Sequence, residues 1–121
     1  MDQQRIIEKV LQSTANIAVV GLSAKEERAG FYVPEYLQAQ GYRIIPVNPN
    51  IDSALGEPAY PDLASIPQSV DLVLIFQRSE NVPPFVAQAI EIGATAVWMQ
   101  LGIANEDAAA KARAAGLDVV M

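Results

Sequence analysis

The chain has 121 residues, 51% hydrophobic and 18% charged, which fits one globular domain with a real core and excludes a disordered segment. It contains no cysteine and no histidine, so disulfides, thiolate nucleophiles, thiolate metal sites and the commonest general base and transition-metal ligand are all excluded. The formal net charge of -6 repels polyanions, and no basic patch reverses it, which argues against nucleic acid and anionic membrane as partners.

The N-terminus, Met1-Asp2-Gln3-Gln4-Arg5, has no apolar stretch behind a basic cluster, so no secretory signal is expected. Ile6, Ile7, Val10 and Leu11 then fall on one face of a short opening helix. The first strand is predicted from Asn16 to Gly21. The next helix runs from about Gly30 to Gln40, with Pro34 placed in its first turn and Gly41 where a left-handed C-terminal cap falls. The second strand is Tyr42 to Val47. After Asn48-Pro49-Asn50 comes a loop with Gly56, Pro58, Pro61 and Pro67, too rich in breakers for a long helix, with one turn expected around Leu63-Ala64-Ser65.

The third strand, Val70 to Phe76, is nearly continuous in apolar residues, as a central parallel strand covered on both faces should be. Asn81 is placed to cap a helix whose first turn holds Pro83 and Pro84, and which continues through Phe85, Val86, Ala89 and Ile90 to Gly93. Ala96 to Met99 is the fourth strand. Asn105 caps an alanine-rich helix that ends at Gly116, with Glu106 and Asp107 favouring its dipole, and Leu117 to Met121 is the fifth strand. None of the apolar runs approaches the roughly 20 residues of a membrane span, and a cytoplasmic location is expected.

Strands alternating with helices imply right-handed crossovers and hence an α/β fold: a Rossmann-like, doubly wound parallel sheet of about five strands with helices on both faces, most simply in the order 3-2-1-4-5. A ligand in such a sheet lies at the carboxyl ends of the strands, at the switch point.

The loop after the first strand, Gly21 to Gly30, runs to a helix N-terminus, where exposed N–H groups and the dipole favour an anion. Here Gly21-Leu22-Ser23 is the candidate phosphate cradle, with the Ser23 hydroxyl and the Arg28 guanidinium as donors. The alternative is that Gly21 only makes the turn, and that Lys25 to Arg28 is a solvated loop whose counterions are Glu26 and Glu27. The Walker pattern and Gly-x-Gly-x-x-Gly are absent, and the second strand ends in Val47-Asn48-Pro49 without the carboxylate expected of a dinucleotide site. Asn48 and Pro49 offer either a flat wall with one amide for an adenine edge or ribose, or a plain turn. Phe76, Gln77 and Arg78 bring an aromatic, an amide and a second cation to the crevice, although Arg78 could equally cover the sheet edge. Trp98-Met99-Gln100-Leu101-Gly102 could border the far end of the ligand, with Trp98 itself as core.

With these residues in view, the whole chain resembles the small stand-alone CoA-binding proteins, which are related to the CoA-binding domain of the succinyl-CoA synthetase α-subunit. The resemblance rests on Ile17-Ala18-Val19-Val20-Gly21-Leu22-Ser23, Arg28, Gly41 to Pro49, Val70-Asp71-Leu72-Val73, Phe76-Gln77-Arg78-Ser79 and Val97 to Gly102. It implies a single CoA-binding domain over residues 1–121 that takes coenzyme A or an acyl-CoA as ligand, with no metal. Phosphates would lie on the glycine-serine turn, adenosine near Asn48-Pro49 and the third-strand loop, and pantetheine toward the fourth-strand loop. The implied site residues are Gly21, Leu22, Ser23, Arg28, Asn48, Pro49, Phe76, Gln77 and Arg78.

Two departures stand out. Members of the family often have serine where this chain has Gly30, and they tend to continue past a Val-Val-Met such as Val119-Val120-Met121 into a segment that is often Asp-Arg-Cys. The resemblance therefore implies a chain truncated at its C-terminus or one lacking the last element. The expected function is non-catalytic ligand binding. The alternatives are a nucleotide sensor for NAD or AMP, or a fragment of an acyl-CoA synthetase, the latter weakened because the relay of those ligases uses a phosphorylated histidine and this chain has none. A small-molecule nucleotide is the expected partner, and a homodimer is left open.

Overall fold

In the computed structural model, which describes residues 3–100 and 102–121, α1 (Gln3–Ser13) leads into β1 (Asn16–Val20), α2 (Ala29–Ala39) and β2 (Arg43–Val47). Two short strands follow, β3 (Ser53–Ala54) and β4 (Glu57–Pro58), then β5 (Leu72–Ile75), a 3-10 turn (Ser79–Asn81) and α3 (Val82–Glu91). The remaining elements are β6 (Ala96–Met99), α4 (Glu106–Ala114) and β7 (Asp118–Val120).

Five strands pair in parallel in the order β2-β1-β5-β6-β7, which is the expected doubly wound α/β class. The expected order is corrected. Numbering the five strands of this sheet along the chain, it is 2-1-3-4-5 and not 3-2-1-4-5. The cause lies in β2. Pro46 has no N–H, and its carbonyl faces outward to accept from Tyr60 N–H at 3.0 Å, so this strand cannot carry a full ladder on that side and sits at the edge. The chain from Asn48 to Ser69 instead recrosses the sheet, and β5 pairs with the free side of β1 from Ile17↔Leu72 to Val20↔Ile75.

Alternate residues of the strands serve the two faces. Ala18, Val20, Val73, Ile75, Val97 and Met99 pack against α3 and α4 through Val82, Val86, Ala89, Ala108, Ala109 and Ala112. Ile17, Val19, Leu72 and Leu74 form the opposite layer with Val10 of α1, and Ile6, Val33, Leu37 and the half-buried Trp98 pack against it. At up to about 3 kcal/mol per fully buried Leu or Ile side chain, these two layers dominate the stability.

Local chemistry accounts for the remaining differences from expectation. The β3–β4 hairpin turns on Leu55 and Gly56, with φ of 54° and 76°; no hairpin was expected in this proline-rich loop. The expected turn near Leu63 is present, tied by Asp62 Oδ1 accepting from Ser65 N–H at 2.9 Å, and Leu63 is buried. Asn105 caps α4 as expected, its Oδ1 accepting from Ala108 N–H at 3.0 Å. Asn81 does not cap α3: it has helical backbone angles (φ -97°, ψ -2°), because the 3-10 turn already winds the chain into the helix. Pro34 lies one turn inside α2 and not in its first turn. No described helix is long and apolar enough to cross a membrane.

Candidate functional site

The direction of the connections reverses between β1 and β5. β1 leads to α2 on one face, whereas β5 leads to α3 on the other. A cleft of about 990 Å³ opens there, above the carboxyl ends of β1, β2 and β5, at the upper end of the size range of ligand pockets.

The turn after β1 owes its shape to two residues. Gly21 has φ of 82°, and a Cβ on it would stand 2.4 Å from the Phe76 carbonyl oxygen, so the two strand ends meet only because no side chain intervenes. Pro34 acts from a distance. Lacking an N–H, it leaves the Gly30 carbonyl four residues earlier without its helical donor, and that carbonyl accepts instead from Ser23 N–H at 3.0 Å. The proline thereby helps hold the turn against the start of α2. Gly30 completes the fit, since a Cβ there would come within 3.2 Å of Gly21 O.

This bonding changes the donors the turn can offer. Gly21 N–H is given to Val47 O at 2.9 Å and Ser23 N–H to Gly30 O, so these two N–H groups are scaffold. The Ser23 Oγ accepts from Lys25 N–H at 3.1 Å, which orients its hydroxyl proton away from that bond and leaves it for a ligand. Ala29 and Gly30 begin α2, and their N–H groups take no partner among the described residues. The Leu22 side chain is fully buried in the α1/α2 layer and does not line the cleft, so any contact from this residue to a ligand would come from its backbone.

Gly21, Ser23, Arg28, Asn48, Pro49, Phe76, Gln77 and Arg78 are brought together around the cleft. Asn48 donates from Nδ2 to Leu22 O at 3.0 Å and accepts on Oδ1 from Asn50 N–H at 2.9 Å, which makes its amide a brace for the wall. Lys25, Asn50, Pro61, Phe85 and Ile103 also line the cleft and were not singled out from sequence. Lys25 had a signal, two positions after Ser23 in the anion-favouring loop, whose alternative reading makes Glu26 and Glu27 the counterions of Lys25 to Arg28. Those carboxylates lie outside the lining. Phe85 had none, since it depends on where α3 packs, whereas Ile103 lies in the Gln100 to Asn105 loop after the fourth strand, which topology brings to the crevice. Of the stretch expected to border the far end of the ligand, Trp98, Met99, Gln100 and Gly102 do not line the cleft, and Leu101 lies outside the described residues.

The electrostatics of the cleft oppose those of the chain as a whole. Three of the eight Lys and Arg residues line it, and none of the described Asp or Glu residues does. Lys25, Arg28 and Arg78 form no ion pair with any described carboxylate. No group of three or more His, Cys, Asp and Glu that could hold a metal occurs among the described residues. A polyphosphate with apolar ends fits this lining, its charge on the cations and its flat or aliphatic parts on Pro49, Pro61, Phe85 and Ile103.

A family model described as "CoA binding domain" matches residues 15–121. The chain belongs to the CoA-binding domain family. Its similarity to an uncharacterized protein of Bacillus subtilis, YneT, is 41% identity over 115 residues, covering 95% of this chain and 85% of that one. A solved structure described as a hypothetical protein from Pyrococcus horikoshii OT3 superposes with a TM-score of 0.93 at 37% identity, over 99% of this chain and 84% of the other. The CoA-binding domain relationship extends to the ADP-forming acetate–CoA ligase II of Archaeoglobus fulgidus, 33% identical over 94 residues, where the match covers 75% of this chain but 14% of the ligase.

Proposed function

We propose that this CoA-binding domain protein holds coenzyme A or an acyl-CoA in the cleft without transforming it. The observation that carries the reading is the convergence of Lys25, Arg28 and Arg78, without an ion pair or a lining carboxylate among the described residues, beside the Ser23 hydroxyl and the start of α2. The second strand ends without an acidic residue for ribose hydroxyls, which weighs against NAD. The absence of histidine and cysteine from the chain supports binding over catalysis. A cytoplasmic location accords with such a ligand.

Calorimetric titration of the purified chain with CoA tests the proposal, with saturable one-to-one binding as the expected result. No heat and no thermal shift up to millimolar CoA would overturn it, and displacement of a bound probe by NAD alone would replace it with the sensor reading. Formation of ADP from ATP, acetate and CoA by the pure chain would overturn the non-catalytic part.

A further inference from the structure

Building on the CoA reading, we infer that Lys25 is the residue that selects the 3′-phosphorylated nucleotide. CoA carries charge in two places: the diphosphate that joins its halves and a separate phosphate on the ribose, which dephospho-CoA lacks. The cleft also has its cations in two places. Arg78 stands on the β5 side, next to Gln77, whose Nε2 would lie 3.1 Å from a Cβ on Gly21. Lys25 and Arg28 stand on the loop before α2, joined by Arg28 N–H donating to Lys25 O at 3.1 Å.

That loop is tied to the wall proposed for the nucleoside, because Asn48 reaches from the end of β2 to Leu22 O. A ribose seated against Asn48 and Pro49 therefore has the Lys25 loop beside it, while the diphosphate reaches Ser23, the first amides of α2 and Arg78. The backbone of Lys25 is fixed by its bond to Ser23 Oγ, so its ammonium starts from an ordered anchor. Glu26 and Glu27 do not pair with it and do not enter the cleft. A ligand with the diphosphate alone would leave this cation unused.

The test compares CoA with dephospho-CoA by calorimetry on the wild-type chain, on Lys25→Met and on Lys111→Met, an exposed cation of α4 outside the cleft. CoA is expected to bind about tenfold or more tightly than dephospho-CoA in the wild type, a gap that narrows as salt is raised. Lys25→Met should remove most of that gap by weakening CoA, with dephospho-CoA changed by no more than about twofold, and Lys111→Met should preserve it. Equal affinity of the wild type for both nucleotides overturns the inference and leaves the CoA reading standing. So does a Lys25→Met variant that weakens both alike, or a Lys111→Met variant that closes the gap equally well. Absence of binding by either nucleotide overturns both.

Discussion

The two ends of the central sheet are built on opposite principles. At the amino-terminal end, polar side chains are spent on the protein itself. Asp71 Oδ2 accepts from Ala15 N–H and Asn16 N–H at 2.9 Å each, Asn16 Nδ2 donates to Ser69 O at 2.8 Å, and Thr95 Oγ1 donates to Asp71 O at 2.8 Å. At the carboxyl end, three cations, a hydroxyl proton and the first amides of α2 have no partner among the described residues. Satisfied polar groups report on stability, and unsatisfied ones that converge on a cleft report on a ligand. Substitutions at the two ends should therefore separate folding from binding.

The largest expected effect breaks that rule, because Gly21 is at the binding end and yet is architectural. In Gly21→Ala the methyl group would meet Phe76 O at 2.4 Å on a backbone with φ of 82°. We expect a loss of roughly 3 kcal/mol or more in urea unfolding from the clash and the left-handed strain together. A loss below about 1 kcal/mol would mean that the two strand ends can part easily, returning Gly21 to a purely ligand-directed role.

Arg78→Ala should show the opposite profile, with CoA affinity falling about tenfold to a hundredfold and unfolding changed by less than about 0.5 kcal/mol. Asp71→Ala is its mirror image at the other end. Losing an anionic acceptor for two backbone donors should cost roughly 1–3 kcal/mol of stability, with CoA affinity unchanged once the variant is folded. If Asp71→Ala weakened CoA binding in the folded state, the two ends would be coupled and the division between them would fail.

How much of this was legible in the residues follows the same division. Element types came through wherever periodicity or a cap carried them: β6 was placed at Ala96 to Met99, and Asn105 was recognised as a cap. The strand order was readable but misassigned. Pro46 inside the second strand marks an edge, and the uninterrupted Leu72–Ile75 run marks a centre, yet the order 3-2-1-4-5 would have put the latter outermost. The cleft was legible as a set of loops because topology fixes which strand ends converge.

Bond allocation within those loops was not legible. Whether Ser23 N–H points to a phosphate or to Gly30 O depends on Pro34, eleven positions away and significant only once the helix is placed. The burial of the Leu22 side chain depends on how α2 packs, which the local sequence does not show. Glu26 and Glu27 are adjacent to Lys25 in sequence but do not line the cleft with it, which sequence adjacency alone does not show.

The smallest expected effect lies at the amino-terminal end and sharpens the claim that satisfied groups there matter through backbone donors more than through charge. Lys9 Nζ of α1 is 3.1 Å from Asp118 Oδ2 at the start of β7, linking the first helix to the last strand. The geometry resembles a clamp, but the side chains are 57% and 32% exposed, so water and salt screen the pair. Lys9→Met keeps most of the aliphatic stem packed and removes only the charge. It should lower stability by no more than about 0.5 kcal/mol, with a difference that disappears in high salt, whereas the Asp71→Ala loss persists because it leaves two backbone N–H groups without an acceptor. A salt-independent loss above about 1 kcal/mol for Lys9→Met would show that α1 is held to the sheet by charge, and would place the ion pair beside Asp71 as a principal support of that end.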